Sequence, residues 1–116
     1  MTDKSLVILD GGMGRELQRR GAPFRQPEWS ALALIETPEL VGAVHDLFAA
    51  AGANVITTNS YAIVPFHLGA ERFASDGARL AALCGQLARG VADVRGVKVA
   101  ASLPPVLGSY RPDLFN

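Results

Sequence analysis

Three short aliphatic runs, at 6–9, 53–58 and 97–103, end in polar residues, glycines or prolines and are separated by stretches long enough for helices. The first run shows no polar–apolar alternation before Asp10, which predicts a strand buried on both faces. Residues 14–20 predict a short helix closed by Gly21, and 22–27, carrying Pro23 and Pro27, predict a loop. Thr37-Pro38-Glu39 predicts a helix start, with a hydroxyl to cap an orphan amide, a proline at the first helical position and an acid at the positive dipole end. Behind it Leu40, Val41, Val44, Leu47, Phe48 and Ala51 share one face, and Gly52 supplies a left-handed stop. Leu80, Cys84, Leu87, Val91 and Val94 mark the buried stripe of another helix, and Pro104-Pro105 ends the strand that follows it. Helical returns between strands imply parallel pairing with right-handed crossovers, so the fold class is α/β.

The pattern shows no internal sequence repeat and no linker, so residues 1–116 read as one unit without a second domain. Three central-type strands leave two sheet edges open, a hazard unless something covers them. A closed eight-stranded barrel of this type needs roughly 250 residues, so the chain reads as part of one, with a small open sheet as the alternative. Eleven basic residues balance eleven acidic ones, which leaves no field to gather nucleic acid or an anionic membrane. No apolar run is long enough to span a bilayer and no signal peptide is evident, so a cytoplasmic location is expected. The single cysteine, Cys84, makes no internal disulfide and suits a reducing compartment.

Polar residues stand at the carboxyl ends of the expected strands: Asp10, then Thr57, Thr58 and Asn59, then Ser102. In parallel α/β folds those ends share the face where ligands bind. Asp10-Gly11-Gly12-Met13-Gly14 invites comparison with a phosphate loop, but a dinucleotide fingerprint starting at Gly12 needs glycine where Leu17 stands, and no Gly-Lys-Ser or Gly-Lys-Thr triplet occurs. A carboxylate beside those glycines suits an amino group better than a phosphate. Its structural alternative is to cap the first helix.

Several blocks in order resemble the homocysteine-binding domain of the homocysteine S-methyltransferases. They are 9–14 with Glu16-Leu17, Trp29-Ser30, the run 51–61 (AGANVITTNSY), Ser102-Leu103-Pro104-Pro105, and Gly108-Ser109-Tyr110-Arg111-Pro112-Asp113. The resemblance implies the first three β/α units of a TIM (β/α)8 barrel and a zinc-dependent transferase that makes methionine, with homocysteine and a small methyl donor as its substrates. Zinc would bind the homocysteine sulfur and leave a thiolate to attack a sulfonium, quaternary ammonium or methylfolate methyl group. By position, Asp10 holds the substrate amino group, Gly11 and Gly12 permit close backbone approach, and Thr58, Asn59 and Ser102 line the mouth. Trp29 and Tyr61 stand near the donor, where an aromatic face favours a cationic methyl group.

The same resemblance places the zinc-binding cysteines, including a Gly-Gly-Cys-Cys pair, beyond Asn116, in a longer or complementing polypeptide. Cys84 lies on a helical stripe and reads as a buried thiol, and His45 and His67 lack paired ligand spacing and read as surface or packing residues. Arg15, Glu16, Arg19 and Arg20 read as a solvated helix face, and Arg111 and Asp113 as structural. The competing function is a catalytically inactive barrel fragment that self-associates through its open edges or binds amino acids through Asp10.

Overall fold

The computed structural model describes residues 6–105 and Asp113. Its element order is α1 (Met13–Arg19), α2 (Ser30–Glu36), α3 (Pro38–Ala50), β1 (Val55–Thr57), α4 (Pro65–Leu68), α5 (Ala70–Arg95) and β2 (Lys98–Ala100). The α/β class holds, with a two-stranded parallel sheet in the register Val55↔Lys98, Ile56↔Val99 and Thr57↔Ala100.

The first expected strand is corrected to a single parallel bridge, Leu9↔Val55. Asn54 ties it down at both ends of its own residue: its amide donates to the Ile8 carbonyl at 2.7 Å, and its Oδ1 accepts the Ile8 amide at 2.8 Å. Burial on both faces is corrected too, since Leu6, Val7, Ile8 and Leu9 are 53–84% exposed. Among the described residues only β1 runs beside this segment, so its ladder has one partner edge.

The main core lies between helices. Leu17 of α1, Leu34 of α2, Val41 and Val44 of α3, and Leu80 and Cys84 of α5 form one cluster, while Ile56 packs with Ala88 and Ala92 in a second one against the sheet. On α5 the buried stripe runs Gly77, Leu80, Cys84, Ala88, Ala92, and the expected Val94 is 83% exposed. Ten residues past Cys84 a 3.6-residue helix has turned roughly 80° off the stripe. The small Ala88 and Ala92 occupy the line instead, which lets the helix approach β1.

Helix α2 gives no periodic signal, because Ala31, Leu32, Ala33 and Leu34 are all buried around its whole girth. The expected role of Thr37 also changes. Its hydroxyl makes no cap for α3 and donates back to the Ala33 carbonyl at 3.2 Å, while Pro38 takes the first helical turn as expected. Gly52 has the positive φ of 117° expected after α3.

Replacing Leu80 with Ala should cost roughly 2–5 kcal/mol, whereas Val94→Ala should stay within about 0.5 kcal/mol. Urea unfolding of the two variants checks this, and equal losses would return Val94 to the core.

Candidate functional site

Asp10 sits where the bridged segment leaves β1 and before α1 begins. Its Oδ2 accepts the Thr57 amide at 2.8 Å and its Oδ1 accepts the Thr57 hydroxyl at 3.0 Å, so one strand residue holds both carboxylate oxygens. The capping alternative fails: Gly12 is the residue preceding α1, and no side chain bonds that helix end. Each carboxylate oxygen keeps acceptor capacity for a ligand.

Gly11 follows with no side chain for a steric reason. A Cβ there would lie 2.9 Å from the ring of Phe48 on α3, so the Asp10–Gly11 backbone rests directly on that helix. Gly12 has no comparable neighbour, with Arg15 nearest at 3.7 Å.

The ends of β1 and β2 are joined by a chain of hydroxyls. The Ser102 amide donates to Thr58 Oγ1 at 3.0 Å, and the Ser60 hydroxyl donates to the Ser102 carbonyl at 2.8 Å. With the Ser60 proton so used, the 2.7 Å contact between Thr58 and Ser60 is a donation from Thr58. Asn59 is committed as well. Its Nδ2 donates to the Ser30 carbonyl at 3.1 Å, and its own carbonyl accepts the Cys84 thiol at 2.8 Å.

These residues enclose a cleft of about 370 Å³. Of the residues expected from sequence, Asp10, Gly11, Thr58, Asn59, Ser102 and Tyr61 line it, and Gly12 and Trp29 do not. Trp29 packs edge-on to Phe24, with ring centroids 5.7 Å apart, and against the helical core. Thr57, also expected from its place at a strand end, lines it too, and Leu9, Met13, Gly14 and Ser30 complete the lining. Thr57 carries the strand-end signal that singles out its neighbours, whereas Ser30 arrives on α2, which has no periodic signature.

A sequence profile described as homocysteine S-methyltransferase matches residues 7–113. The chain belongs to the homocysteine S-methyltransferase family. Homocysteine S-methyltransferase 3 of Arabidopsis thaliana is 50% identical over 55 residues, which cover 47% of this chain and 16% of that protein. Homocysteine S-methyltransferase YbgG of Bacillus subtilis (strain 168) is 46% identical over 56 residues, 48% of this chain and 18% of that protein. The crystal structure of the homocysteine methyltransferase MmuM from Escherichia coli, metallated form, superposes with a TM-score of 0.73 at 32% identity, over 89% of this chain and 39% of that one. The chain thus spans well under half the length of these relatives.

The zinc implied by membership of the homocysteine S-methyltransferase family finds no fitting donor set here. Among the described residues no three His, Cys, Asp or Glu side chains gather as a metal site. Cys84 is buried with its thiol given to a carbonyl, and burial pushes that thiol up to about 12, so it stays protonated. His67 Nδ1 lies 2.8 Å from the Pro27 carbonyl. His45 is fully buried, and neither ring nitrogen has a hydrogen-bond partner. Both histidines are therefore interior rather than surface groups. Arg19 and Arg20 pair with Glu16 on α1, but the Glu16 side chain is only 13% exposed, which corrects its reading as part of a solvated face. Of the last matched block, 108–112 lie outside the described residues.

Two outcomes follow from this geometry. Thr57→Val keeps the branched strand residue but strips one hydrogen bond from Asp10, and should cost about 1 kcal/mol in urea unfolding. Burial holds the His45 imidazole below its ordinary 6.5, with Asp10 pulling partly the other way. As pH falls below 6.5 the unfolded chain therefore takes up a proton that the native one refuses, and stability drops until the lowered native value is reached. Unfolding midpoints between pH 7.5 and 5.5 should show that loss, and the slope should shrink in His45→Leu.

Proposed function

We propose that this cleft binds the amino-acid end of homocysteine, and that the whole protein transfers a methyl group to the homocysteine thiol to give methionine. The observation that carries it is Asp10: a carboxylate at the cleft wall, fixed by Thr57 through both oxygens, in a chain of the homocysteine S-methyltransferase family. A carboxylate oriented in advance binds an ammonium group at little cost in ordering, and its charge makes the hydrogen bond a strong one.

In this reading residues 1–116 are the N-terminal part of a single (β/α)8 barrel domain. The parallel sequence Leu9, β1, β2 with helices between supports it, as does the gathering of Asp10, Thr58 and Ser102 at the strand ends. Thr58, Asn59 and Ser102 act mainly by fixing the cleft wall, since their hydrogen bonds run to one another and to Ser30. Tyr61, 42% exposed and in the lining, faces the donor, which is a sulfonium, quaternary ammonium or methylfolate compound. Trp29 serves as an anchor for the 22–29 loop. The family's zinc belongs to residues outside those described, and the reducing cytoplasm suits the thiol of Cys84.

A second reading rests on the exposed run 6–9. A catalytically inactive form of the chain, self-associating or joined to a complementing chain through that edge, would bind amino acids without turning them over. Zinc content and methyl transfer by the whole protein separate the two readings.

Asp10→Asn keeps the size of the side chain and removes its charge. It should weaken L-homocysteine binding at least roughly tenfold by calorimetry and lower methyl transfer in proportion. Unchanged affinity and turnover would defeat the assignment.

A further inference from the structure

The 22–29 loop runs from α1 to α2 and meets the cleft at both ends. Near its start Phe24 rests on Gly14, a lining residue, where a Cβ would lie 2.8 Å from the Phe24 ring. At its end Ser30, another lining residue, opens α2. Arg25, Gln26 and Pro27 in its middle are exposed and bring little buried area, so the loop keeps its place only through specific ties.

Among the described residues, three successive ties run from this stretch to the connection after β1 and the start of α5. Pro27 is bonded to His67, Glu28 pairs with Arg72, and the Ser30 carbonyl accepts the Asn59 amide. Glu28 and Arg72 stand 3.9 Å apart with Arg72 43% exposed, a setting in which an ion pair contributes little. Asn59 holds Ser30 itself, past the loop. His67 is therefore the tie on the loop proper. It is 2% exposed, its ring meets Phe66 edge-on with centroids 5.0 Å apart, and it lies 6.3 Å from the ring of Tyr61, a third lining residue. Because a carbonyl oxygen only accepts, Nδ1 carries the hydrogen and donates across the 2.8 Å to Pro27. A ring packed on those neighbours presents that N–H in one direction.

We propose that His67 is a positioning residue for the cleft: its Nδ1 hydrogen bond holds the 22–29 loop against the connection that follows β1, so that the wall carrying Gly14 and Ser30 is formed before a ligand arrives. The inference rests on the reading of the cleft as the homocysteine site. A wall formed only part of the time lowers the apparent affinity by the fraction of molecules that have it, and leaves the bound complex unaltered. By linkage, a ligand that needs the wall also tightens the loop.

Two substitutions in the full protein separate the hydrogen bond from the ring. His67→Phe keeps a ring and removes the donor, while His67→Asn removes the ring and places an amide N–H near the Nδ1 position. The ligand-free readout is tryptic cleavage of the native protein after the exposed Arg25, identified by the mass of residues 1–25. Cleavage should be roughly three- to tenfold faster in His67→Phe and within about twofold of the parent in His67→Asn. The calorimetric Kd for L-homocysteine should rise by the same factor in His67→Phe and stay near the parent value in His67→Asn. Saturating L-homocysteine should slow the Arg25 cleavage of His67→Phe toward the parent rate. Faster cleavage or weaker binding in His67→Asn would overturn the proposal whatever His67→Phe does, as would equal cleavage of His67→Phe and the parent, or faster cleavage with an unchanged Kd. A parent that binds no L-homocysteine would instead remove the homocysteine reading, and the Arg25 cleavage rates would still decide whether His67 holds the loop.

Discussion

Two hydrogen bonds from Thr57 to the Asp10 carboxylate organise the rest of the site. They fasten the first aliphatic segment to β1 at its carboxyl end, where the Asp10 amide also donates to the Val55 carbonyl at 3.1 Å. From that fixed point the chain turns through Gly11 onto Phe48 and enters α1, whose Leu17 is buried in the helical core. Without them the segment would retain only single-edge pairing, and the carboxylate would lose its orientation toward the cleft.

The other wall is built by a different economy of polar groups. Thr58, Ser60 and Ser102 use their hydrogen-bonding capacity on each other, and Asn59 uses its side-chain amide on Ser30. Such satisfied networks rigidify what they join. Asp10 is then the charged member of the cleft lining, with acceptor capacity left on both oxygens.

Much of this was legible in the residues because it depends on local chemistry. Pro38 at a helix start, Gly21 and Gly52 at helix exits, and polar residues ending aliphatic runs all act through their immediate neighbours. The blocks around Asp10 and 51–61 also carried the family. What escaped depended on packing partners distant in sequence. Helix α2 is buried all round and so has no stripe, and Thr37 chose the helix behind it over the one ahead. Val94 belongs to an apolar pattern that the helix rotates away from the core, while Ala88 and Ala92, weak signals by hydrophobicity, form the real contact. Gly12 and Trp29 lie in the matched blocks but do not line the cleft, and Trp29 packs against Phe24 and the helical core instead.

The sheet also constrains the order in which this molecule can assemble. Asp10 and Thr57 are 47 residues apart, and Thr58 and Ser102 are 44 apart, so neither strand junction can form until a long loop has closed. The intervening helices shorten those loops by folding locally first, and their contacts compensate for the entropy of closure. The cleft is therefore held by interactions of long sequence separation and depends on helices that contribute little to its surface.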